Sequence, residues 1–202
     1  MVQAPLQTQP LLLQLPEHLA LQITPEQFAT LAAANRELQL ERTATGELIV
    51  APPTGGETGY RNSKIIYFLV RWIEEEGGDG KPFDSSTGFE LPNGANRSPD
   101  AAWVRQERWD ALTPEQQDGF IPLCPDFAVE LRSKTDTLKD LRAKLTEYIE
   151  NGTQLGWLID PKNKRVEVYR PGQTVEVLDD PITLSGESIL PRFTLPLQRV
   201  WS

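Results

Sequence analysis

The stretch Pro125-Asp126-Phe127-Ala128-Val129-Glu130-Leu131-Arg132-Ser133 holds a single acidic residue, Glu130, inside an apolar run from Phe127 to Leu131. A run of this length rich in Val, Leu and Phe reads as a buried β-strand. The strand period of two sends Phe127, Val129 and Leu131 to one face and Ala128, Glu130 and Arg132 to the other. Leaving even a neutral polar group unpaired in such a place costs roughly 2–7 kcal/mol, and a charge costs more, so Glu130 requires a cation or a partner. Arg132 on the same face is the simplest structural partner.

The next segment, Thr137 to Asn151, is predicted to be a helix ended by Gly152, with an apolar stripe at Leu138, Leu141, Leu145, Tyr148 and Ile149. Lys144 falls three after Leu141 and four before Tyr148, on the border of that stripe. Lysines there commonly snorkel to solvent. A helix following a strand also commonly packs back across the same sheet, so the interest of Lys144 lies in which strand it points toward. Upstream, Ser98-Pro99-Asp100 puts a carboxylate at the start of the strand Ala101 to Val104. Asp126 and Glu130 share a face but sit about 13 Å apart at roughly 3.3 Å per residue, too far to share one ion. Asp100 and Glu130 come from different strands, and neighbouring strands are only about 4.8 Å apart, so these two can share a metal.

Around this centre, Thr24-Pro25-Glu26-Gln27 is a capping box that starts a helix from Pro25 to about Ala34. Glu37 to Glu41 and Glu47 to Val50 read as short strands, followed by a loop from Pro52 to Gly59. Ser63 to Glu76 reads as a core helix with Ile65, Ile66, Leu69, Trp72 and Ile73 on its apolar side. Phe83 to Leu91 is expected as one strand, separated from Ala101 to Val104 by the Asn93-Gly94 turn, and Thr113-Pro114-Glu115-Gln116 caps a short helix in a loop. Leu155 to Asp160 and Arg165 to Tyr169 form a predicted hairpin, and the tail from Thr174 to Trp201 holds short strands and proline turns. The order of elements indicates an α/β or α+β sheet with helices on its faces.

Composition narrows the function. The chain has 202 residues, 39% of them hydrophobic, and no apolar run approaching the roughly 20 residues of a membrane span, so a cytoplasmic globular protein is expected. One cysteine, Cys124, and one histidine, His18, exclude a disulfide framework within the chain, thiolate metal clusters, histidine triads and multi-histidine zinc sites. Hydrolytic chemistry would run on carboxylates and lysines. A net charge of −9 argues against broad adhesion to nucleic acid or acidic membranes. Against it, Arg132, Lys134, Lys139, Arg142 and Lys144 outweigh Asp136 and Asp140, which makes this segment a candidate local phosphate-facing patch. Trp72, Trp103 and Trp157 fall on core faces.

Several runs, in order, resemble the Uma family of bacterial putative restriction endonucleases. They are Glu41 with Gly46-Glu47-Leu48, Arg97-Ser98-Pro99-Asp100-Ala101-Ala102-Trp103, Pro125 to Ser133, Lys144 with Tyr148, Asn151-Gly152, and Gly156-Trp157-Leu158-Ile159-Asp160-Pro161. The resemblance extends from about Pro25 to Trp201 and connects the chain to the PD-(D/E)xK nuclease superfamily. It implies a restriction-endonuclease-like mixed central sheet flanked by helices over residues 24–202, with the β-rich carboxy-terminal tail as an extension. Residues 1–23, rich in Gln, Leu and Pro without a sustained period, read from composition as an extended arm that pairs along a sheet edge or as a flexible one. The resemblance further implies that Asp100 and Glu130 coordinate Mg²⁺ or Mn²⁺, that Glu41 adds a carboxylate to the metal shell, and that Lys144 supplies the catalytic lysine. The superfamily places lysine two residues after the acidic residue, where this chain has Arg132. An always-charged guanidinium holds phosphate but is a poor proton acceptor. Lys144 is therefore favoured for orienting or deprotonating water, with Arg132 and Lys134 as phosphate contacts or alternative cations. The implied function is metal-dependent hydrolysis of phosphodiester bonds, in DNA, with no membrane partner and with homodimerisation if both strands are cut. The alternative is a non-catalytic acidic interaction module in which Glu130 and Arg132 form a structural pair.

Overall fold

The computed structural model describes residues 21–201. Most of the expected arm, with His18, lies outside the described residues. Of the arm's last three residues, Gln22 bridges Glu47, and the Ile23 N–H donates to Gly46 O at 2.8 Å, so this end of the arm pairs with a sheet edge.

Helix α1 (Pro25–Ala34) starts at the expected capping box, with Thr24 accepting from the Gln27 N–H. Strands β1 (Gln39–Arg42) and β2 (Leu48–Ala51) form a hairpin. Helix α2 (Gly56–Glu75) begins earlier than apolar periodicity predicts and absorbs the end of the expected loop. Its first turns are polar, so periodicity cannot register them; Arg61 ties them down by donating to Val200 O at 3.0 Å. The expected strand from Phe83 to Leu91 is instead two, β3 (Lys81–Asp84) and β4 (Phe89–Glu90), which enter different sheets. Asp84 breaks the run by accepting from both the Ser86 N–H and Ser86 Oγ in a local turn.

Strand β5 (Asn96–Arg97) leads into β6 (Ala101–Val104), followed by the short helices α3 (Gln106–Asp110) and α4 (Pro114–Asp118). The decisive run is β7 (Phe127–Leu131), buried along its whole length, followed by α5 (Leu138–Glu150) and the hairpin of β8 (Leu155–Asp160) and β9 (Arg165–Tyr169). The chain closes with β10 (Glu176–Asp179), β11 (Thr183–Ser185), β12 (Thr194–Pro196) and α6 (Gln198–Trp201).

A six-stranded sheet in the order β10-β9-β8-β7-β6-β3 is the frame of the molecule. It is mixed: β7 and β8 run parallel across the α5 crossover, and the other neighbours are antiparallel. A second sheet, β2-β1-β5-β4, carries Glu41 on β1. Alternation along β7 splits the interior as expected. Phe127, Val129 and Leu131 meet Ile65, Leu69 and Trp72 of α2, while Ala128 faces Leu141, Leu145 and Tyr148 of α5. Trp72, Trp103 and Trp157 are buried in the first layer. Cys124 is buried in the second, where loss of solvent raises its thiol pKa to about 11 and keeps it an unreactive thiol that donates to Tyr148 O. Among the described residues, no helix is long and apolar enough to cross a membrane.

Candidate active site

Strand pairing brings the acidic residues together. Ala101 of β6 lies opposite Val129 of β7, and antiparallel continuation puts Asp100 across from Glu130. In the second sheet, Arg42 lies opposite Asn96, so Glu41 falls beside Arg97. Helix α5 is fixed at its start by Thr137, whose side chain accepts from the Asp140 N–H at 3.1 Å. With Leu141 and Leu145 seated on the sheet, Lys144 and Tyr148 lie one turn apart on a single ridge. Both reach one oxygen: Lys144 Nζ is 2.9 Å from Glu130 Oε1, and Tyr148 Oη donates to the same atom at 3.0 Å. Lys144 Nζ also donates to Glu41 Oε1 at 3.0 Å, bridging the two carboxylates.

Both oxygens of Glu41 and both of Asp100 are held as firmly. Glu41 Oε1 accepts from the Ser98 N–H at 3.0 Å, and Glu41 Oε2 accepts from Arg97 Nη1 at 3.1 Å. Arg97 Nε in turn donates to Glu147 at 2.6 Å. Asp100 Oδ1 accepts from Asn62 Nδ2 at 2.8 Å, and Asp100 Oδ2 accepts from the Leu131 N–H at 2.7 Å.

The electrostatics follow from this geometry. Burial pushes Glu130 up to about 7, and the neighbouring charges of Asp100 and Glu41 add to the rise against the pull of Lys144. Burial likewise raises Asp100, against its bonds from Asn62 and Leu131. For Glu41, burial is outweighed by Lys144, Arg97 and the Ser98 N–H, and its pKa is lowered. Burial also works against the charge of Lys144, but Glu130 and Glu41 override it and hold the ammonium protonated well above its usual range. Tyr148 is raised by burial and then by Glu130 and Glu41, so its hydroxyl stays a donor.

Four carboxylates, Glu41, Asp100, Glu130 and Glu147, thus face two cations, Arg97 and Lys144, so that with all four ionised two negative charges go uncompensated. This surplus, the hard oxygen donors and the raised Asp100 and Glu130 fit a divalent cation of the magnesium type, which needs only one or two protein carboxylates and keeps waters of its own. Glu41 fits the expected metal shell less well. Lys144 stands between it and Glu130, and among the described residues no three His, Cys, Asp or Glu side chains are grouped closely enough to hold an ion between them.

Two expectations require correction. Arg132 is not the partner of Glu130. Parallel pairing sets Leu131 beside Ile159, and Arg132 beyond it extends to Asp160 at 2.7 Å. The pair on which the non-catalytic alternative relied is therefore absent. Nor does the segment from Arg132 to Lys144 form an open basic patch, because Asp160 takes Arg132, Glu167 takes Arg142 at 2.6 Å, and Lys144 is turned inward. Lys134 is exposed on the loop before α5, with no ion pair among the described residues. Asp126 serves elsewhere, paired with Arg105 and Arg108 at 3.4 and 3.0 Å.

Sequence reasoning gave no site role to Asn62, Arg97, Glu147 or Tyr148, although Arg97 and Tyr148 lie in the runs that carry the family resemblance. A signal existed for two of them. Tyr148 is four residues from Lys144, and Asn62 is a lone polar residue in register with the buried Ile65, Leu69 and Trp72.

A mixed sheet flanked by helices, with two carboxylates in facing register on adjacent strands and a lysine on the following helix, defines a protein of the restriction-endonuclease-like fold. A solved structure has the same fold: a putative nuclease belonging to DUF820 from Anabaena variabilis ATCC 29413 aligns with a TM-score of 0.68 at 23% identity, over 82% of this chain and 90% of that one. The family model Uma2, described as "Putative restriction endonuclease", matches residues 25–198, and the chain belongs to that family. No curated protein matched it.

Proposed function

We propose that this chain is a metal-dependent nuclease that hydrolyses phosphodiester bonds in DNA. The observation that carries the reading is the junction at Glu130: a buried carboxylate opposite Asp100, met by the ammonium of Lys144 at 2.9 Å, in a site with more carboxylates than cations. Asp100 and Glu130 would hold Mg²⁺ or Mn²⁺. When bound, the ion would supply the charge that stabilises the pentavalent phosphate and the acidity that activates water.

The roles of the chain's own residues follow from their protonation states. Lys144 is held protonated by its carboxylate neighbours, so it orients water or phosphate oxygen and stabilises developing negative charge rather than removing a proton. Of the two roles expected for it, orientation is the one this environment favours. Tyr148 fixes one oxygen of Glu130 and leaves the other for the ion. Glu41, bonded by Lys144, Arg97 and Ser98, acts as the counter-ion that holds Lys144 in place. Because one such site cuts one strand, cleavage of both strands calls for two copies of the chain, and we place the working form as a homodimer.

The test is incubation of supercoiled plasmid, linear duplex, single-stranded DNA and RNA with Mg²⁺ or Mn²⁺, beside an Asp100→Ala control. Metal-dependent cleavage of DNA that disappears in the control is expected. Absence of cleavage on every substrate, or equal cleavage by Asp100→Ala, would overturn the reading.

A further inference from the structure

The apolar face of α2 is interrupted once near the site. Ile65, Leu69 and Trp72 bury one stripe of the helix against the sheet, and Asn62, one turn earlier on that stripe, is only 8% exposed. An asparagine in this position has two polar ends to satisfy. Its Nδ2 donates to Asp100 Oδ1 at 2.8 Å, and its buried Oδ1 has no hydrogen-bond partner among the described residues.

The orientation of the amide is not arbitrary. An ionised Asp100 can only accept, so the NH₂ group must face it and the carbonyl oxygen must point elsewhere. Asp100 is already held by the Leu131 N–H, and leucine at position 62 would extend the apolar stripe without an orphaned acceptor. A buried acceptor with no donor among the described residues, on an amide hydrogen-bonded to a candidate metal-binding carboxylate, is suited to a small bound donor.

We propose that Asn62 is a positioning residue of this site: its NH₂ group holds Asp100, and its Oδ1 accepts a hydrogen bond from a water retained beside that carboxylate. Water is the ligand of the right chemistry, since it donates to an acceptor, fits a small space and is what phosphodiester hydrolysis consumes. The amide fixes the water's donated hydrogen, which leaves an oxygen lone pair to be directed at the ion or the phosphorus. The catalytic part of this inference rests on the nuclease reading; the water itself does not.

Two measurements test it separately. A crystal structure of the full chain in metal-free buffer is expected to show an ordered water within about 3.2 Å of Asn62 Oδ1, a normal hydrogen-bond reach. An Oδ1 that stays dry, or a side chain turned to bond another protein group, would overturn the proposal whether or not the protein cleaves DNA. The second measurement compares Mn²⁺ affinity by calorimetry with single-turnover cleavage at saturating Mn²⁺ in wild type, Asn62→Leu and Asn62→Ala.

For Asn62→Leu, the rate is expected to fall by about 100-fold, the scale of losing one positioned polar group, with Mn²⁺ affinity changed less than about 5-fold. Asn62→Ala opens space for a replacement water and is expected to recover part of that loss, and it serves if the leucine variant fails to fold. A residue that only braces Asp100 gives the opposite split, with weaker Mn²⁺ binding and a rate restored once the metal saturates, and that result would overturn the proposal. If wild type cleaves nothing, the nuclease reading fails, and the crystallographic result still decides the water.

Discussion

Glu130→Gln separates a carboxylate kept for an ion from one kept for structure. In the folded protein, burial and the charges of Asp100 and Glu41 raise Glu130 from 4.5 to about 7. Ionising it in the folded state therefore costs about 3 kcal/mol more than in the unfolded chain. The sign is that of a raised carboxyl: the folded state binds the proton more tightly, so this contribution to stability is fully present below about pH 4.5 and is lost as the pH rises through about 7. Glutamine mimics the neutral acid in shape and hydrogen bonding and does not ionise. Lys144 keeps Glu41 at 3.0 Å, so it is not left unpaired by the change. In metal-free buffer, Glu130→Gln should match wild type near pH 4.5 and exceed it by up to about 3 kcal/mol at pH 8, on the order of 6–12 °C in Tm for a chain of this size. Paired urea and thermal melts across that range measure the difference. Saturating Mn²⁺ should raise wild type toward the variant and beyond, because an ion bound only by the folded state stabilises it. A variant less stable than wild type at pH 8, or a difference that does not change with pH, would refute the reasoning and make Glu130 a structural partner.

Lys144→Ala should abolish cleavage while Mn²⁺ binding persists, and should destabilise the metal-free protein by about 3–5 kcal/mol at pH 8, with the loss shrinking in acid as the carboxylates protonate. Lys144→Arg should also lose activity, since the fork of a guanidinium does not fit between Glu41 and Glu130; single-turnover rates and calorimetry check both variants. Arg132→Ala should lower stability by about 3 kcal/mol by leaving the buried Asp160 carboxylate without its guanidinium, while single-turnover cleavage changes by no more than a few fold; denaturant melts beside that assay decide it. Glu41→Gln should slow cleavage through Lys144 and cost stability at pH 8, with Mn²⁺ affinity nearly intact in a calorimetric titration. A large loss of affinity would restore Glu41 to the metal shell.

Local patterns in the chain were enough to define most of its elements. The alternation from Phe127 to Leu131, the helical stripe of Leu141, Leu145 and Tyr148, the capping boxes at Thr24 and Thr113, and the glycine after Asn151 each act over a few residues, and each appears where those patterns place it. Glu130 could be picked out for the same reason, as a charge inside an apolar strand, Lys144 as a lysine on the border of a helical stripe and Asp100 as a carboxylate at a strand start; their shared role came from the family resemblance. Tertiary structure decided which charge answers which. At two residues' distance, Arg132 was the nearest cation to Glu130 along the chain, but parallel pairing of β7 with β8 delivers Asp160 to it, and the packing of α5 on the sheet delivers Lys144 to Glu130. Glu41, Arg97 and Asn62 join the site through a second sheet and a helix far away in sequence. No period or turn signal encodes those meetings, because a charged side chain is neutralised by whatever the folded chain sets within about 3 Å of it, and that distance is fixed only when register and packing are.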